Sequence, residues 1–458
     1  HRIIPNNANM KSIKTRLAAL SFLEFAVWGS YLVSLGLYLG SVGLGGYIFW
    51  FYTVQGIVSL IMPGLIGVIA DRFIPAQKML SLCHILAATF MFAAGWYAME
   101  AGSDVEFGPL FAFYTLSIAF FMPTIGLNNS VAFNALTKEG LDTVKAFPPI
   151  RVWGTVGFIV AEWFVNFVHI GGAPIMNTYW QLIVSGVISL ILAGYALTMP
   201  NCPVNRAASA SLADSLGLSA FKLFKQKKMA IFFIFSMLLG VSLQVTNSYG
   251  SSFIEHFGKV AEYADDFFAK NPTFLISLSQ CSEALCILLI PSCLRRFGIK
   301  GVMLIAMLAW VFRFGLFGLG NTSMSGVWLL MLSCVVYGVA FDFFNVSGGL
   351  YVDKQTSPEL RSSAQGLFMI MTNGIGASLG TCIAGSFVVN KYVFAPGLDA
   401  VQQLDGWRIS WYIFAAYAFV VGILFLFIFK DHGDPSTAEI KDAEAVVSGD
   451  DVAAVKTK

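Results

Sequence analysis

Residues 335–348, Val-Val-Tyr-Gly-Val-Ala-Phe-Asp-Phe-Phe-Asn-Val-Ser-Gly, lie within an apolar run that covers residues 326–352. A run of this length is typical of a transmembrane helix. Asp342 lies deep in the run, directly after Phe341. A carboxylate near the bilayer centre costs about 2.5–3.5 kcal/mol on insertion scales. A structural ion pair or a hydrated kink is one explanation, but we favour a substrate or proton site that faces a cavity.

The composition of the chain indicates a polytopic membrane protein. Of its 458 residues, 57% are hydrophobic and only 12% are charged, whereas soluble domains carry about 25% charged residues. The seven cysteines have no spacing typical of a disulfide framework or a metal site. Neither a P-loop nor a His-Glu-x-x-His motif occurs, which argues against ATP hydrolysis and metalloprotease chemistry. We therefore expect a protein that is not an enzyme, binds no nucleic acid and needs no metal or cofactor.

About twelve apolar runs are long enough to cross a membrane. They cover residues 17–39, 46–70, 79–99, 109–132, 150–170, 178–198, 229–253, 272–294, 301–320, 326–351, 363–389 and 408–430. The eleventh run carries Gly376 and Gly380 in small-xxx-small spacing, which predicts close approach of a neighbouring helix.

The longest polar interruption, residues 199–228, divides the chain into two halves of six runs, 17–198 and 229–430. A segment of residues 1–16 precedes the first half. We expect Met10 to be the natural start and leave residues 1–9 out of the fold prediction. The tail of residues 431–458 is polar and lacks aromatic residues, so we expect it to be disordered.

The basic residues predict the orientation, because loops on the cytoplasmic side are enriched in Lys and Arg. With the N-terminus inside, the inner segments hold Lys11, Lys14, Arg16, Arg72, Lys78, Lys138, Lys145, Arg206, Lys222, Lys225, Lys227, Lys228, Arg295, Arg296, Lys300, Lys354, Arg361 and Lys430. The outer segments hold only Lys259, Lys270, Lys391 and Arg408. Both termini and the loop between the halves are therefore predicted to be cytoplasmic.

The two halves have a short basic loop at the same place. Residues 67–72, Gly-Val-Ile-Ala-Asp-Arg, follow the second run, and residues 294–300, Leu-Arg-Arg-Phe-Gly-Ile-Lys, follow the eighth. This organisation resembles the major facilitator superfamily, and Gly67, Asp71 and Arg72 match part of its signature, the predicted conformational gate. The glycine that usually follows the arginine is absent, and the second half lacks the aspartate. The resemblance implies a substrate site between the halves and alternating access.

Polar and aromatic side chains recur at helical spacing on four runs, where residues three or four apart share a face. The stripes are Arg151, Thr155 and Phe158; Gln244 and Asn247; Gln280 and Glu283; and Tyr337 and Phe341, with Asp342 at the edge. Carboxamides offer donors and acceptors, and aromatic rings offer stacking faces. Hydrogen bonding between helices is the alternative explanation for each stripe. Together they suit a neutral, flat, hydroxyl-rich solute, either a sugar attached to a base or a plain sugar.

Four further ionisable residues lie within the runs. Glu24 is placed where it could face the cavity. Glu162 and Arg313 are interpreted as packing or ion-pair residues. His84 is interpreted as a hydrogen-bonded interior histidine rather than a proton relay.

Several stretches resemble the nucleoside:proton symporters of the major facilitator superfamily, typified by bacterial nucleoside permeases. They are residues 147–158, 229–240, 338–345, 361–366 and 371–374, and the resemblance runs from about Leu17 to Lys430. It implies that the ten residues of the four stripes, Arg151 to Asp342, bind the nucleoside. Glu24 stands where the best-known member of the family has a neutral Gln, which adds a titrating group.

We therefore predict an all-α membrane protein of twelve transmembrane helices with the major facilitator fold. It would be a proton-coupled nucleoside importer of a bacterial cytoplasmic (inner) membrane, expected to be a monomer. The proton carrier would be Asp342 or Glu283, with Glu24 as the third candidate. The alternatives are a transporter of another neutral solute, such as a sugar or a single nucleoside like xanthosine, and a non-transporting membrane sensor. A sensor would be expected to carry a soluble output domain, which is not seen.

Overall fold

The chain folds into helices that run back and forth in two halves. The computed structural model describes residues 7–204, 216, 218–356 and 361–430. The N-terminal half contains α1 (Asn7–Gly29), α2 (Leu35–Ser41), α3 (Ile48–Arg72), α4 (Ala76–Ala101), α5 (Phe107–Lys138), α6 (Thr143–Phe167) and α7 (Trp180–Ala196). The C-terminal half contains α8 (Lys227–Gly240), α9 (Val245–Phe257), α10 (Phe267–Lys270), α11 (Pro272–Cys286), α12 (Ile290–Leu319), α13 (Val327–Gln355), α14 (Arg361–Met369), α15 (Ala377–Ile383), α16 (Asn390–Tyr392) and α17 (Ala400–Ile428).

Short elements complete these helices. Single 3₁₀ turns lie at Gly45–Tyr47, Ile175–Asn177 and Ile287–Leu289, and a longer 3₁₀ helix covers Leu218–Lys225. Segments of π-helix lie at Ile370–Gly376 and Ala384–Val389. Two-residue strands, His169–Ile170 and Ala173–Pro174, pair antiparallel. All twelve apolar runs coincide with helical structure, so the prediction of an all-α protein with six spans in each half is confirmed. The predicted tail, residues 431–458, lies outside the described residues.

Several helices extend beyond the apolar runs that predicted them. The fifth run, residues 150–170, corresponds to α6, which begins seven residues earlier at Thr143. Pro148 and Pro149 are the sixth and seventh residues of α6, beyond its first turn, and neither contributes a backbone N–H to the helix. Arg151 therefore lies inside the helix rather than at its first residue. At the N-terminus, α1 already begins at Asn7, within the segment that the sequence separates from the first half.

The first and seventh spans are interrupted at equivalent places. The first is broken between α1 and α2, after Gly29, and the seventh between α8 and α9, after Gly240. A Cβ atom on Gly29 would lie 2.5 Å from the carbonyl oxygen of Phe158, and one on Gly240 would lie 2.3 Å from that of Thr372. Glycine thus allows the first span to cross the fifth, and the seventh to cross the eleventh, in backbone contact. The two halves repeat the same packing.

Close packing also occurs at the two glycines of the eleventh span. A Cβ atom on Gly376 would lie 2.4 Å from the carbonyl oxygen of Met237, and one on Gly380 would lie 2.4 Å from Cα of Val241. The predicted approach of a neighbouring helix is therefore observed, and the neighbour is the seventh span.

The turn between the eighth and ninth spans lies at Gly298. This residue has φ 73° and ψ 173° within α12, a backbone conformation that glycine adopts without steric cost. The sequence predicts this turn in the basic loop of residues 294–300, and the structure confirms it there.

The halves contact each other on the side of the molecule opposite Asn7 and Lys430, the two ends of the described chain, and we call this the far side. The Nδ2 atom of Asn390 donates to the carbonyl oxygen of Gly46 at 2.7 Å. A Cβ atom on Gly36 in α2 would lie 2.8 Å from the carbonyl oxygen of Ser248 in α9. Contacts this close leave no passage between α2 and α9, so the far side is closed.

Candidate functional site

A cavity of about 200 Å³ lies between the two halves. Six spans form its wall, and the lining residues are Phe25, Trp28, Leu32, Arg151, Thr155, Phe158, Leu243, Gln244, Asn247, Gln280, Glu283, Tyr337, Phe341 and Asn373. Charged, amide and aromatic side chains face the same space. This arrangement suits a small polar solute that also has a flat apolar surface.

The structure brings together nearly all the side chains that helical spacing singled out. Of the ten predicted binding residues, every one except Asp342 lines the cavity. Asp342 follows Phe341 on α13 and is buried, and its Oδ2 atom has no hydrogen-bond partner in the described part of the chain. It interacts electrostatically with Glu283 on the neighbouring α11. Asp342 therefore lies behind the wall rather than in it.

Arg151 is held against the first span. Its Cζ atom lies 3.8 Å from the centre of the Phe25 ring, the geometry of a cation–π contact. Gly154 makes room for this contact, since a Cβ atom there would lie 2.5 Å from the ring of Phe25 and 2.8 Å from Nη1 of Arg151. Glu283 is an electrostatic partner of Arg151. The cavity thus places one cation opposite one carboxyl group, on different halves.

Amide side chains form the second part of the wall. Asn247 donates from Nδ2 to Oε1 of Gln244 at 3.0 Å. Gln280, with its amide oriented to donate, places Nε2 3.0 Å from the carbonyl oxygen of Ile276 and 3.1 Å from Oε1 of Glu162. Because each amide has further donor or acceptor capacity, these groups can bond a ligand in addition to each other.

Aromatic rings form the third part. Tyr337 and Phe341 are stacked, with ring centres 5.7 Å apart and planes at 21°. Trp310 meets Tyr337 edge-on from behind. The Cζ atom of Arg313 lies 5.1 Å from the centre of the Tyr337 ring and 4.2 Å from that of Phe317. The wall is therefore a fixed, flat surface against which a planar ring can pack.

Arg313 is fully buried behind this surface. It donates to the hydroxyl groups of Ser279 and Ser333, each at 3.3 Å. Within the described residues no carboxylate lies within ion-pair distance of it. Of the two predicted roles, packing and ion pairing, the structure supports packing.

Five wall residues were not predicted, namely Phe25, Trp28, Leu32, Leu243 and Asn373. The indole Nε1 of Trp28 is buried without a hydrogen-bond partner in the described part of the protein. Asn373 lies on the π-helical turn Ile370–Gly376, and such turns often occur at functional sites. A lone Asn before Gly374 in an apolar run was a usable signal. The apolar wall residues carried no such signal in the sequence.

Glu24 lies inside the N-terminal half and not in the cavity wall. Its Oε2 lies 2.6 Å from Nε2 of His84, and its Oε1 accepts from Thr124 at 2.5 Å. Nδ1 of His84 lies 2.8 Å from Oγ of Ser189. Glu24 and His84 are both fully buried, so His84 is the hydrogen-bonded interior histidine that the sequence predicts. The network joins the first, third, fourth and sixth spans.

The predicted gate residues lie apart from the cavity. Gly67, Asp71 and Arg72 occupy the last turns of α3, on the side of the chain ends. Asp71 is exposed, Arg72 is half-buried, and a Cβ atom on Gly67 would meet nothing within 4 Å. None of the three lines the cavity.

Comparison with known proteins agrees with this geometry. The family model for nucleoside H⁺ symporters matches residues 10–434. Xanthosine permease of Escherichia coli (strain K12) is 44% identical over 427 residues, which are 93% of this chain and 97% of that protein. Nucleoside permease NupG of the same organism is 41% identical over 423 residues, 92% and 96% of the two chains.

Solved structures lead to the same fold. The crystal structure of nucleoside transporter NupG aligns with a TM-score of 0.82 at 41% identity, over 92% of this chain and 99% of that one. A D-xylose–proton symporter aligns with a TM-score of 0.65 at 13% identity, over 91% and 98%, which shows the fold alone. Both sequence relatives are permeases. The prediction that the protein is a transporter and not an enzyme is therefore confirmed. The chain has the major facilitator fold and belongs to the nucleoside H⁺ symporter family.

Proposed function

We propose that this protein imports nucleosides together with protons across a bacterial cytoplasmic membrane by alternating access. The observation that carries the proposal is the cavity between the halves, where amide, charged and aromatic side chains from six spans meet. Its relatives include a xanthosine permease and a nucleoside permease. Its partners would be a nucleoside, protons and the lipid bilayer, and it would act as a monomer.

The proposal assigns each part of the wall to part of a nucleoside. Gln244, Asn247 and Gln280 would bond the hydroxyl groups of the ribose or the polar edge of the base, because carboxamides both donate and accept. Tyr337 and Phe341 would pack on the base through their stacked rings.

The remaining wall residues would complete the site. Arg151 and Thr155 would supply further donors from the fifth span, and Phe158 would close the apolar surface beside them. Glu283, opposite Arg151, would accept hydrogen bonds from ligand hydroxyl groups.

Proton coupling would be carried by Asp342 or Glu283. Asp342 is buried next to the aromatic wall, and its Oδ2 atom has no hydrogen-bond partner in the described residues. An ionised carboxylate would need a partner at this oxygen that the described residues do not supply in this state. Gly67, Asp71 and Arg72 would act at the surface as part of the conformational gate, where α3 ends.

The orientation follows from the basic residues. Those between the spans concentrate on the side of the chain ends, and loops on the cytoplasmic side are enriched in Lys and Arg. Both termini would then be cytoplasmic, and the closed far side would face the periplasm.

An uptake panel tests the proposal. Radiolabelled nucleosides, including uridine, adenosine and xanthosine, and the sugars maltose and xylose would be offered to a transport-deficient bacterial host that expresses the protein. We expect accumulation of nucleosides, loss of accumulation with an uncoupler, and no accumulation of the sugars. Uptake of a sugar would support the rival transporter, and no uptake of any solute would support the sensor.

The same panel addresses a narrower second candidate, a permease for xanthosine. The observation that favours it is the 44% identity to xanthosine permease over 97% of that protein. Selective uptake of xanthosine would support this candidate, and comparable uptake of all three nucleosides would support the broader function.

A further inference from the structure

Three hydrogen bonds from side chains of α6 join the N-terminal half, on the far side, to α11 of the C-terminal half and to Asn271, the residue that precedes α11. Asn166 donates from Nδ2 to Oδ1 of Asn271 at 2.9 Å, and its Oδ1 accepts from the backbone N–H of Phe274 at 3.1 Å. Trp163 donates from Nε1 to Oγ of Ser277 at 2.9 Å. Asn166 is 1% exposed. We call these contacts the α6–α11 seam.

The bond to Phe274 depends on the two halves being together. Phe274 is the third residue of α11, and N–H groups in the first turn of a helix have no partner within the helix. Asn166 of the other half supplies the missing acceptor. Separation of the halves would return this N–H to solvent, so the seam stabilises the closed far side specifically.

One turn deeper, the seam reaches the cavity. Glu162 is fully buried, and its Oε1 lies 3.1 Å from Nε2 of the wall residue Gln280 when that amide is oriented to donate. The same nitrogen lies 3.0 Å from the carbonyl oxygen of Ile276. Both amide hydrogens of Gln280 are thus engaged, and its Oε1 is the atom left to accept a hydrogen from a ligand.

The rest of the far-side interface is close-packed but polar. A Cβ atom on Gly36 would lie 3.0 Å from Oγ of Ser252, and one on Gly56 would lie 1.9 Å from Oγ of Ser378. Both serine hydroxyls are buried without hydrogen-bond partners in the described residues. Buried hydroxyls without partners are costly, and this cost disappears when the interface opens to water. The interface is therefore built to separate.

We propose that Asn166 and Glu162 form the far-side gate with α11, and that Gln280 transmits the occupancy of the cavity to this gate. The inference rests on the proposed function for the identity of the ligand, a nucleoside. A ligand hydroxyl that donates to Oε1 of Gln280 polarises the amide and strengthens its bond to Glu162. Ligand in the cavity thus favours the closed far side, while loss of the ligand weakens it.

A cysteine reporter at the interface tests the gate. Ser252→Cys places a small thiol between α2 and α9, and its rate of labelling by an impermeant maleimide measures opening. The test uses purified protein in detergent, with the unsubstituted protein as the measure of background from native cysteines. We expect Asn166→Ala to increase labelling of the reporter about threefold to tenfold without ligand, the effect of losing a hydrogen bond that favours one state. Ser248→Cys serves as a second reporter on the same helix.

The link to the cavity is tested with uridine. Uridine should slow labelling in the parent, and Glu162→Ala should abolish this protection. Glu162→Gln keeps an acceptor oxygen, so uridine should still slow labelling in this variant. Ser410→Ala is the matched control, because among the described residues this buried serine bonds only the carbonyl oxygen of Gly406 in its own helix.

The outcomes separate the gate from the proposed function. Unchanged labelling in Asn166→Ala overturns the gate whether or not uridine binds. Protection that persists in Glu162→Ala overturns the role of Gln280. A third outcome is that Asn166→Ala increases labelling but the protein neither binds nor accumulates any nucleoside. This result contradicts the proposed ligand and still supports the gate.

Discussion

The Cζ atom of Arg151 lies 3.8 Å from the centre of the Phe25 ring, and both side chains line the cavity between the halves. Phe25 belongs to the first span and Arg151 to the fifth. A guanidinium over an aromatic face is stabilised by about 0.5–2 kcal/mol, with the higher values in desolvated sites. The first span therefore fixes the only cation that lines the described cavity.

Removing the ring should loosen this cation. We expect Phe25→Leu to weaken nucleoside binding about threefold to tenfold, because Arg151 loses its cation–π contact and its orientation. Phe25→Tyr keeps the aromatic face and should bind as the parent does. Isothermal titration with the purified protein measures both variants, and parent-like affinity in Phe25→Leu would contradict the role of the ring.

Trp28 offers a donor that the protein itself does not use. Trp28 lines the cavity, and its Nε1 is buried beneath the wall surface without a partner in the described residues, so a ligand acceptor can use this donor once the indole turns toward the cavity. We expect Trp28→Phe to reduce affinity about threefold to tenfold, the effect of a lost hydrogen bond. Trp411→Phe is the matched control, since its Nε1 is also buried without a partner in the described residues but lies outside the cavity wall. Equal effects in the two variants would show that only packing is affected.

The amide side chains of the cavity wall, Gln244, Asn247 and Gln280, should make most of the hydrogen bonds to the polar groups of the nucleoside. Removing one partner of a buried hydrogen bond costs about 1–3 kcal/mol, or roughly a tenfold to hundredfold loss of affinity. We expect losses of this size in Gln244→Ala and in Gln280→Ala. Gln55→Ala is the control, because Gln55 is buried and bonds Tyr114 outside the cavity. Unchanged binding in the double variant Gln244→Ala/Gln280→Ala would exclude this face as the site.

Much of the site could be predicted because polar groups are conspicuous in apolar helices. Gln280 and Glu283 stand three residues apart in an otherwise apolar run, and a polar pair in a membrane helix faces other protein or a cavity. The structure puts both in the cavity wall. The same reasoning failed for Phe25 and Leu32, since an apolar residue at a cavity has the same sequence signature as one in the core.

The sequence predicts which side chains share a face of a helix better than it predicts which neighbouring helix that face contacts. Glu24 has the polar signature of a cavity residue, yet it contacts His84 of the third span. Whether a carboxylate turns to a cavity or into a bundle depends on which helix packs beside it, and spacing within one helix does not contain that information. Asn166 and Asn271 are 105 residues apart, and their contact depends on how the two halves dock.

The Glu24–His84 pair should stabilise the N-terminal half rather than couple transport to protons. Removing one partner of a buried hydrogen bond costs about 1–3 kcal/mol. We therefore expect Glu24→Ala and His84→Ala to unfold at clearly lower temperature, whereas Glu100→Ala, at an exposed position, should not. Thermal unfolding in detergent measures this effect.

The conservative variant separates folding from coupling. Glu24→Gln keeps an acceptor for Thr124 and should still accumulate nucleoside against a gradient, with the same dependence on the proton gradient as the parent. Loss of uphill accumulation by a well-folded Glu24→Gln protein would return Glu24 to the list of proton carriers.

Asp342 and Glu283 should differ in what they contribute to proton coupling. Asp342 is buried behind the cavity wall, and its Oδ2 lacks a partner in the described residues. Glu283 lines the cavity opposite Arg151. Asp342→Asn mimics the protonated form, so we expect it to bind nucleoside, to exchange it across the membrane and to lose uphill accumulation. Glu283→Gln loses a charged acceptor in the wall and should bind at least tenfold more weakly, since hydrogen bonds to charged groups are worth about 1.5–3 kcal/mol.

The measurement is proton-driven uptake in proteoliposomes beside equilibrium binding, made on the same preparations of each variant. Asp104→Asn, which removes an exposed carboxylate, controls for the change in net charge and should match the parent in both assays. If Asp342→Asn accumulates nucleoside against its gradient as well as the parent, the proton is carried by another group, and Glu283 is the next to test because it interacts electrostatically with both Asp342 and Arg151.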